Sequence, residues 1–125
     1  MNYLCDTCWV IELLRGDASV REQFRAADGL AVSAITEMEL LVGALNKREV
    51  LTIKKTLATF TLIEIDESIS AAARALIENY AKSHGLCLPD ALIAATALNR
   101  DLPLITYNGK DFRFIPNLRL LAALP

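Results

Sequence analysis

A single histidine, His84, and a single tryptophan, Trp9, occur in 125 residues, and neither sign of charge prevails: 13 lysines and arginines stand against 15 aspartates and glutamates. A net charge of −2 excludes a protein that holds nucleic acid by a basic surface alone. Cysteine is sparse and odd in number, so Cys5, Cys8 and Cys87 do not make a disulfide framework. Cys5-Asp6-Thr7-Cys8 does match a Cys-x-x-Cys pair, which keeps a thiol redox site open. A zinc site would have only Cys87 and His84 to add, with no second such pair. His84 precedes Gly85 at a helix end, where a cation is favoured, and is too isolated to be a general base. No apolar run approaches the roughly 20 residues of a membrane span. The opening residues lack a basic n-region, and Asp6, Glu12 and Arg15 interrupt any signal core, so a soluble, cytoplasmic protein with no membrane contact is expected. Repeats, low-complexity stretches and Pro/Gly-rich linkers are also absent, and the length suits one domain, residues 1–125. Apolar side chains are abundant at 54%, which supports a substantial core and argues against disorder.

The hydrophobic pattern alternates between short strands and helices. Strands are predicted over 2–5, 30–33, 60–65, 102–106 and 118–121. Helices are predicted over 7–15 (stopped by Gly16), 18–27, 36–45, 49–58, 67–83 (stopped by His84-Gly85) and from Pro89 to about Asn99. Met38, Leu41, Val42 and Leu45 fall on one side of the third helix, and Ile69, Ala73, Leu76, Ile77 and Tyr80 on one side of the fifth. The last helix is apolar on most sides and rich in alanine, so it belongs deep inside. Strands alternating with helices predict an α/β fold, a mostly parallel sheet of about five strands in a three-layer α/β/α arrangement. In such sheets the functional crevice lies beyond the carboxyl ends of the strands.

Four acids sit beside these boundaries: Asp6 after the first strand, Glu39 in the third helix, Asp90 in the first turn of the last helix, and Asp111 after Asn108-Gly109-Lys110. Oxygen ligands drawn from distant segments suit Mg²⁺ or Mn²⁺, and a phosphate would then bind the metal rather than a basic surface. Each acid has a second reading. Asp6 can be a helix N-cap, Asp90 a first-turn acid favoured by the helix dipole, and Asp111 a turn residue. Glu37 competes with Glu39, but two residues apart on a helix they point in different directions. Thr7, Thr106 and Asn108 are candidates to support the acids by hydrogen bonds, with helix and turn roles as their alternatives. Trp9 reads as core or dimer packing, and Cys5 as a buried strand residue.

Tyr3-Leu4-Cys5-Asp6-Thr7, Ser33-Ala34-Ile35-Thr36-Glu37-Met38-Glu39-Leu40-Leu41-Val42-Gly43, Pro89-Asp90-Ala91-Leu92-Ile93-Ala94-Ala95-Thr96-Ala97-Leu98 and Leu104-Ile105-Thr106-Tyr107-Asn108-Gly109-Lys110-Asp111-Phe112 together resemble the ordered motifs of the PIN-domain ribonucleases, most closely the VapC-type toxins of bacterial toxin–antitoxin pairs. The resemblance spans essentially the whole chain. It selects Glu39 over Glu37 and implies a Mg²⁺-dependent endoribonuclease, with Mn²⁺ able to substitute. Asp6, Glu39, Asp90 and Asp111 would be its catalytic and metal-holding acids, and Thr7, Thr106 and Asn108 would support them. An RNA substrate, tRNA among the candidates, a cognate antitoxin and a homodimer follow from the same resemblance. Two positions depart from the pattern: Cys8 stands where Asn or a similar polar residue is usual, and Tyr107 where a basic residue is common. A catalytically silent PIN-like interaction domain and a thiol module built on Cys5 and Cys8 are the alternatives.

Overall fold

A computed structural model describes residues 2–125. Among them five strands, β1 Tyr3–Cys5, β2 Leu30–Ser33, β3 Thr61–Ile63, β4 Leu104–Ile105 and β5 Leu120–Leu121, form one sheet in the order β3-β2-β1-β4-β5, every neighbouring pair parallel. Parallel neighbours cannot be joined by a tight turn, so helices carry most of the chain back between strands. α1 Thr7–Arg15 and α2 Ala18–Ala26 link β1 to β2; α3 Ala34–Val42 and α4 Lys47–Leu57 link β2 to β3; α5 Glu67–His84 and α6 Leu88–Arg100 link β3 to β4.

Side chains alternate across each strand and build two cores. Leu4, Ala31, Ile63 and Leu104 face α5 and α6, packing with Ile69, Ala73, Ile93 and Phe112. Cys5, Leu30, Val32 and Ile105 face the other way, onto Trp9, Val10, Val20, Leu40, Ile53 and Leu57 of α1–α4. This is the expected three-layer α/β/α arrangement. Along α6, Ala91, Ala94, Ala95 and Ala97 are all buried, as its small side chains imply, and α5 packs closely along it. Trp9 is fully buried, a core residue, although its indole Nε1 finds no hydrogen-bond partner. No helix among the described residues is long and apolar enough to cross a membrane.

Caps explain where boundaries shift from the sequence reading. α3 begins at Ala34 rather than Thr36 because the Ser33 hydroxyl accepts the Ile35 amide (3.2 Å), and it stops at Gly43. α4 begins at Lys47 rather than Glu49: Asn46 accepts the Glu49 amide (2.9 Å) while the Glu49 carboxylate accepts the Leu45 amide (3.1 Å), a reciprocal cap. The strands at 60–65, 102–106 and 118–121 shorten to their paired residues. Leu102 instead donates its amide to the Ala97 carbonyl at the end of α6, and Thr106 leaves the ladder after its amide meets Leu121 (3.0 Å). The largest difference concerns α3. Its buried positions are Ala34, Thr36 and Leu40, whereas Met38, Val42 and the following Leu45 are exposed at 52%, 86% and 85%.

The strand order holds the functional consequence. The chain steps outward from β1 to β2 to β3, then returns to the other side of β1 with β4. The connections leave β1 and β4 in opposite directions, and this switch opens a crevice at their carboxyl ends.

Candidate active site

Asp6 stands at that crevice, one residue beyond β1, and is 4% exposed. Its amide donates to the Ile105 carbonyl of β4 (2.9 Å), so sheet pairing fixes its backbone. One carboxylate oxygen accepts the Thr7 amide (2.8 Å), capping α1; the other accepts the Thr106 hydroxyl (2.7 Å) and the Cys8 thiol (3.2 Å). The N-cap reading is thus realised, and it leaves the rest of the carboxylate aimed across the switch point. Thr106, just past β4, also accepts the Asn108 amide (2.9 Å) on its hydroxyl.

The Thr7 hydroxyl turns to the neighbouring helix. It donates to Glu39 (2.8 Å) and lies 3.0 Å from the Thr36 hydroxyl. Thr36 is fully buried one turn before Glu39, so both reach Thr7 from the same face of α3. Asp90 is the third residue of α6, behind Pro89. Burial raises its pKa to about 6; the Cys87 thiol lowers it, and the charges of Asp6, Asp111 and Glu39 raise it further. Asp111 closes a short 3-10 turn, Gly109–Asp111, with its side chain exposed.

The expected supporting residues divide. Thr7 and Thr106 bond the acids directly. Asn108 contributes its backbone amide rather than its side chain, which makes no capping bond either. Thr36 and Cys87 belong to the set and went unread in the sequence. Thr36 carried a faint signal, a polar residue on the Glu39 face of an otherwise apolar helix, whereas Cys87 carried none. At the first departure from the family pattern, Cys8 supplies a third hydrogen bond to Asp6. Burial and then the Asp6 charge raise both the Cys8 and the Cys5 thiols. Raised thiols are poor nucleophiles, which argues against a Cys5–Cys8 redox pair.

The donors are hard oxygens of the kind Mg²⁺ or Mn²⁺ takes. Their spacing does not yet form a cage: among the described residues no three His, Cys, Asp or Glu side chains converge closely enough to hold an ion as they stand. Like charges without a counter-ion repel, and neutral hydroxyl and amide donors satisfy Asp6 and Glu39 in its place. The donor chemistry fits the metal.

A groove of about 530 Å³ runs from Glu39 between α1, α3 and α4, lined by Ile11, Leu14, Leu40, Ala44 and Ile53, with Arg15 and Arg48 on its rim. The exposed Met38, Val42, Leu45 and Leu51 belong to the two helices and the loop that bound it on one side.

The PIN domain family model matches residues 3–118, and the chain belongs to that family. Within it the chain is similar to Ribonuclease VapC of Rickettsia bellii, 33% identical over 97% of this chain and 96% of the relative. It is also similar to Ribonuclease VapC10 of Mycobacterium tuberculosis, 34% identical over 98% and 94%. Among solved structures, a toxin–antitoxin complex from Klebsiella pneumoniae superposes with a TM-score of 0.80 at 36% identity over 96% of each chain.

Proposed function

We propose that the chain is a metal-dependent endoribonuclease of the VapC type, the toxin of a toxin–antitoxin pair, acting on an RNA such as tRNA. One observation carries the reading: Asp6, Glu39 and Asp111, brought in from separate segments of the chain, all lie near enough for their charges to act on Asp90. Similarity to ribonucleases called VapC supports the same reaction class.

Asp6, Glu39 and Asp90 would hold Mg²⁺, with Asp111 as the exposed fourth donor. When bound, the ion supplies an activated water and neutralises the charge developing on the phosphate. The chain's own residues prepare this. Thr106, Cys8 and the Thr7 amide lock the Asp6 carboxylate, and Thr7 locks Glu39, so two acids keep their orientation without metal. Burial raises the Asp90 pKa to about 6, toward neutrality. The apolar groove beside Glu39, with Met38, Val42, Leu45 and Leu51 exposed nearby, offers the antitoxin a surface that ends at the acids. A homodimer belongs to the same reading, and light scattering tests it.

The deciding experiment incubates purified protein with labelled tRNA, ribosomal RNA, mRNA and single-stranded DNA in Mg²⁺, Mn²⁺ or EDTA, beside Asp6→Asn and Asp90→Asn. Metal-dependent RNA cleavage lost in both variants is expected. Cleavage surviving both would sink the site assignment. The wider spacing of the acids also favours a second reading, a silent interaction domain, which predicts no cleavage with any metal while the partner still binds.

A further inference from the structure

A second pocket lies away from the acids. It occupies about 490 Å³ between α1, α2 and α4 and is lined by Leu13, Arg21, Phe24, Arg25, Lys55 and Thr56, with Thr59 at its edge. No acid lines it, unlike the groove beside Glu39, which mixes Glu39 and Glu49 with Arg15 and Arg48. Among the described residues Arg21 and Lys55 have no carboxylate within ion-pair distance, and Arg25 meets only Glu22, outside the pocket, at 3.8 Å. These three exposed cations give the cavity a positive potential that an anion would lower, most strongly at low salt. Arg21 is also positioned: a Cβ on Gly16 would meet its guanidinium at 3.2 Å, so the group lies against the left-handed turn (φ 88°) that ends α1. The Thr59 hydroxyl donates to the Thr56 carbonyl (2.6 Å), and the Thr56 side chain lines the pocket with a hydroxyl that makes no hydrogen bond among the described residues. The floor is Leu13 and Phe24, and the Phe24 ring is braced 5.5 Å from that of Phe60.

Cations at the rim, a hydroxyl donor and an aromatic floor match one nucleotide of a polyanionic chain, with phosphate on Arg21, Arg25 and Lys55 and the base edge or ribose against Phe24 and Leu13. From Thr7 to Leu13, α1 rises about 9 Å, so the pocket lies roughly that far along the helix from the acids. An RNA whose scissile phosphate sits among four carboxylates is repelled there until metal binds, and it needs a cationic hold elsewhere. Building on the ribonuclease reading, we infer that this pocket is a second RNA-binding site, one that grips a backbone phosphate of the substrate away from the cleavage point.

Anisotropy of labelled unfractionated tRNA, titrated with the full chain in EDTA from 50 to 200 mM salt, tests this. With two phosphate contacts removed, the double variant Arg21→Ala/Lys55→Ala should lower the slope of log affinity against log salt by about 1.4–1.8. In Mg²⁺ it should raise KM and leave kcat unchanged. Lys55→Arg should keep the slope, and Arg74→Ala/Lys82→Ala on α5, removing equal charge elsewhere, should match the wild type. Thermal melts check that the variants fold. Cleavage by the wild type with an unchanged slope in the double variant overturns the inference and leaves the ribonuclease reading standing. Wild-type protein that binds no RNA overturns both. Loss of polyglutamate binding without loss of tRNA binding would assign the pocket to an acidic protein segment and overturn it too.

Discussion

Asp6 accepts hydrogen bonds from three neighbours, and each donor is a separate lever on the site. Thr106→Val removes the 2.7 Å bond and leaves the carboxylate short of a partner in a buried setting. A loss of about 1.5–3 kcal/mol in urea unfolding is expected, together with reduced cleavage. Cys8→Ser keeps a donor to Asp6 and should keep activity; a thiol-based reaction would lose it. Asp90 gives a pH signature in the metal-free protein. Its pKa is raised to about 6 from an ordinary carboxylate value near 3.9, so the folded state binds the proton more readily than the unfolded one. The stability it contributes is therefore full below about pH 4 and is lost as pH rises through about 6. Melts of wild type and Asp90→Asn should diverge across that window, the wild type losing the more. A constant difference between the two would show that Asp90 titrates as an ordinary surface acid.

Among the elements, α6 is the one whose sequence constrains it most tightly. Ala94 and Ala95 are fully buried between the sheet and its neighbouring helices, and extra methylenes there have nowhere to go. Ala94→Leu should destabilise by about 1–3 kcal/mol in chemical denaturation, whereas the same change at exposed Asn99 should be nearly neutral. The order of strands and helices was legible in the sequence because period and punctuation are local properties. So were Asp6 and Asp90, which lie beside a strand end and a helix start. The outward turn of Met38 and Val42 was not legible: periodicity places residues on one face of a helix without saying what covers that face. The partnership of Thr36 with Thr7, and of Cys87 with Asp90, depends on packing between elements distant in the chain.

For the whole molecule, the proposed metal site predicts that stability depends on divalent cations. A divalent ion that binds the folded state alone, at 100 times its dissociation constant, adds about 2.7 kcal/mol, a rise in Tm on the order of 10 °C. Excess Mg²⁺ or Mn²⁺ should produce that rise in the wild type and much less in Asp6→Asn. A melt indifferent to both ions would leave the four acids without their proposed role. The two open surfaces differ: a mostly apolar groove starts at Glu39, and a cationic pocket meets α1 at Leu13, about 9 Å along the helix from Thr7.

The hydrogen bond from Thr106 to Asp6 joins residues 100 positions apart. During synthesis the first acid therefore exists well before the residue that bonds it, with β4 made long after β1. At about 5–20 residues per second, roughly 5–20 s pass before residue 106 is even polymerised. Throughout that interval β1 has no β4 beside it, and the crevice between them does not exist. A nascent chain therefore has no such crevice until β4 has been made, an interval in which a second chain synthesised alongside it has time to fold.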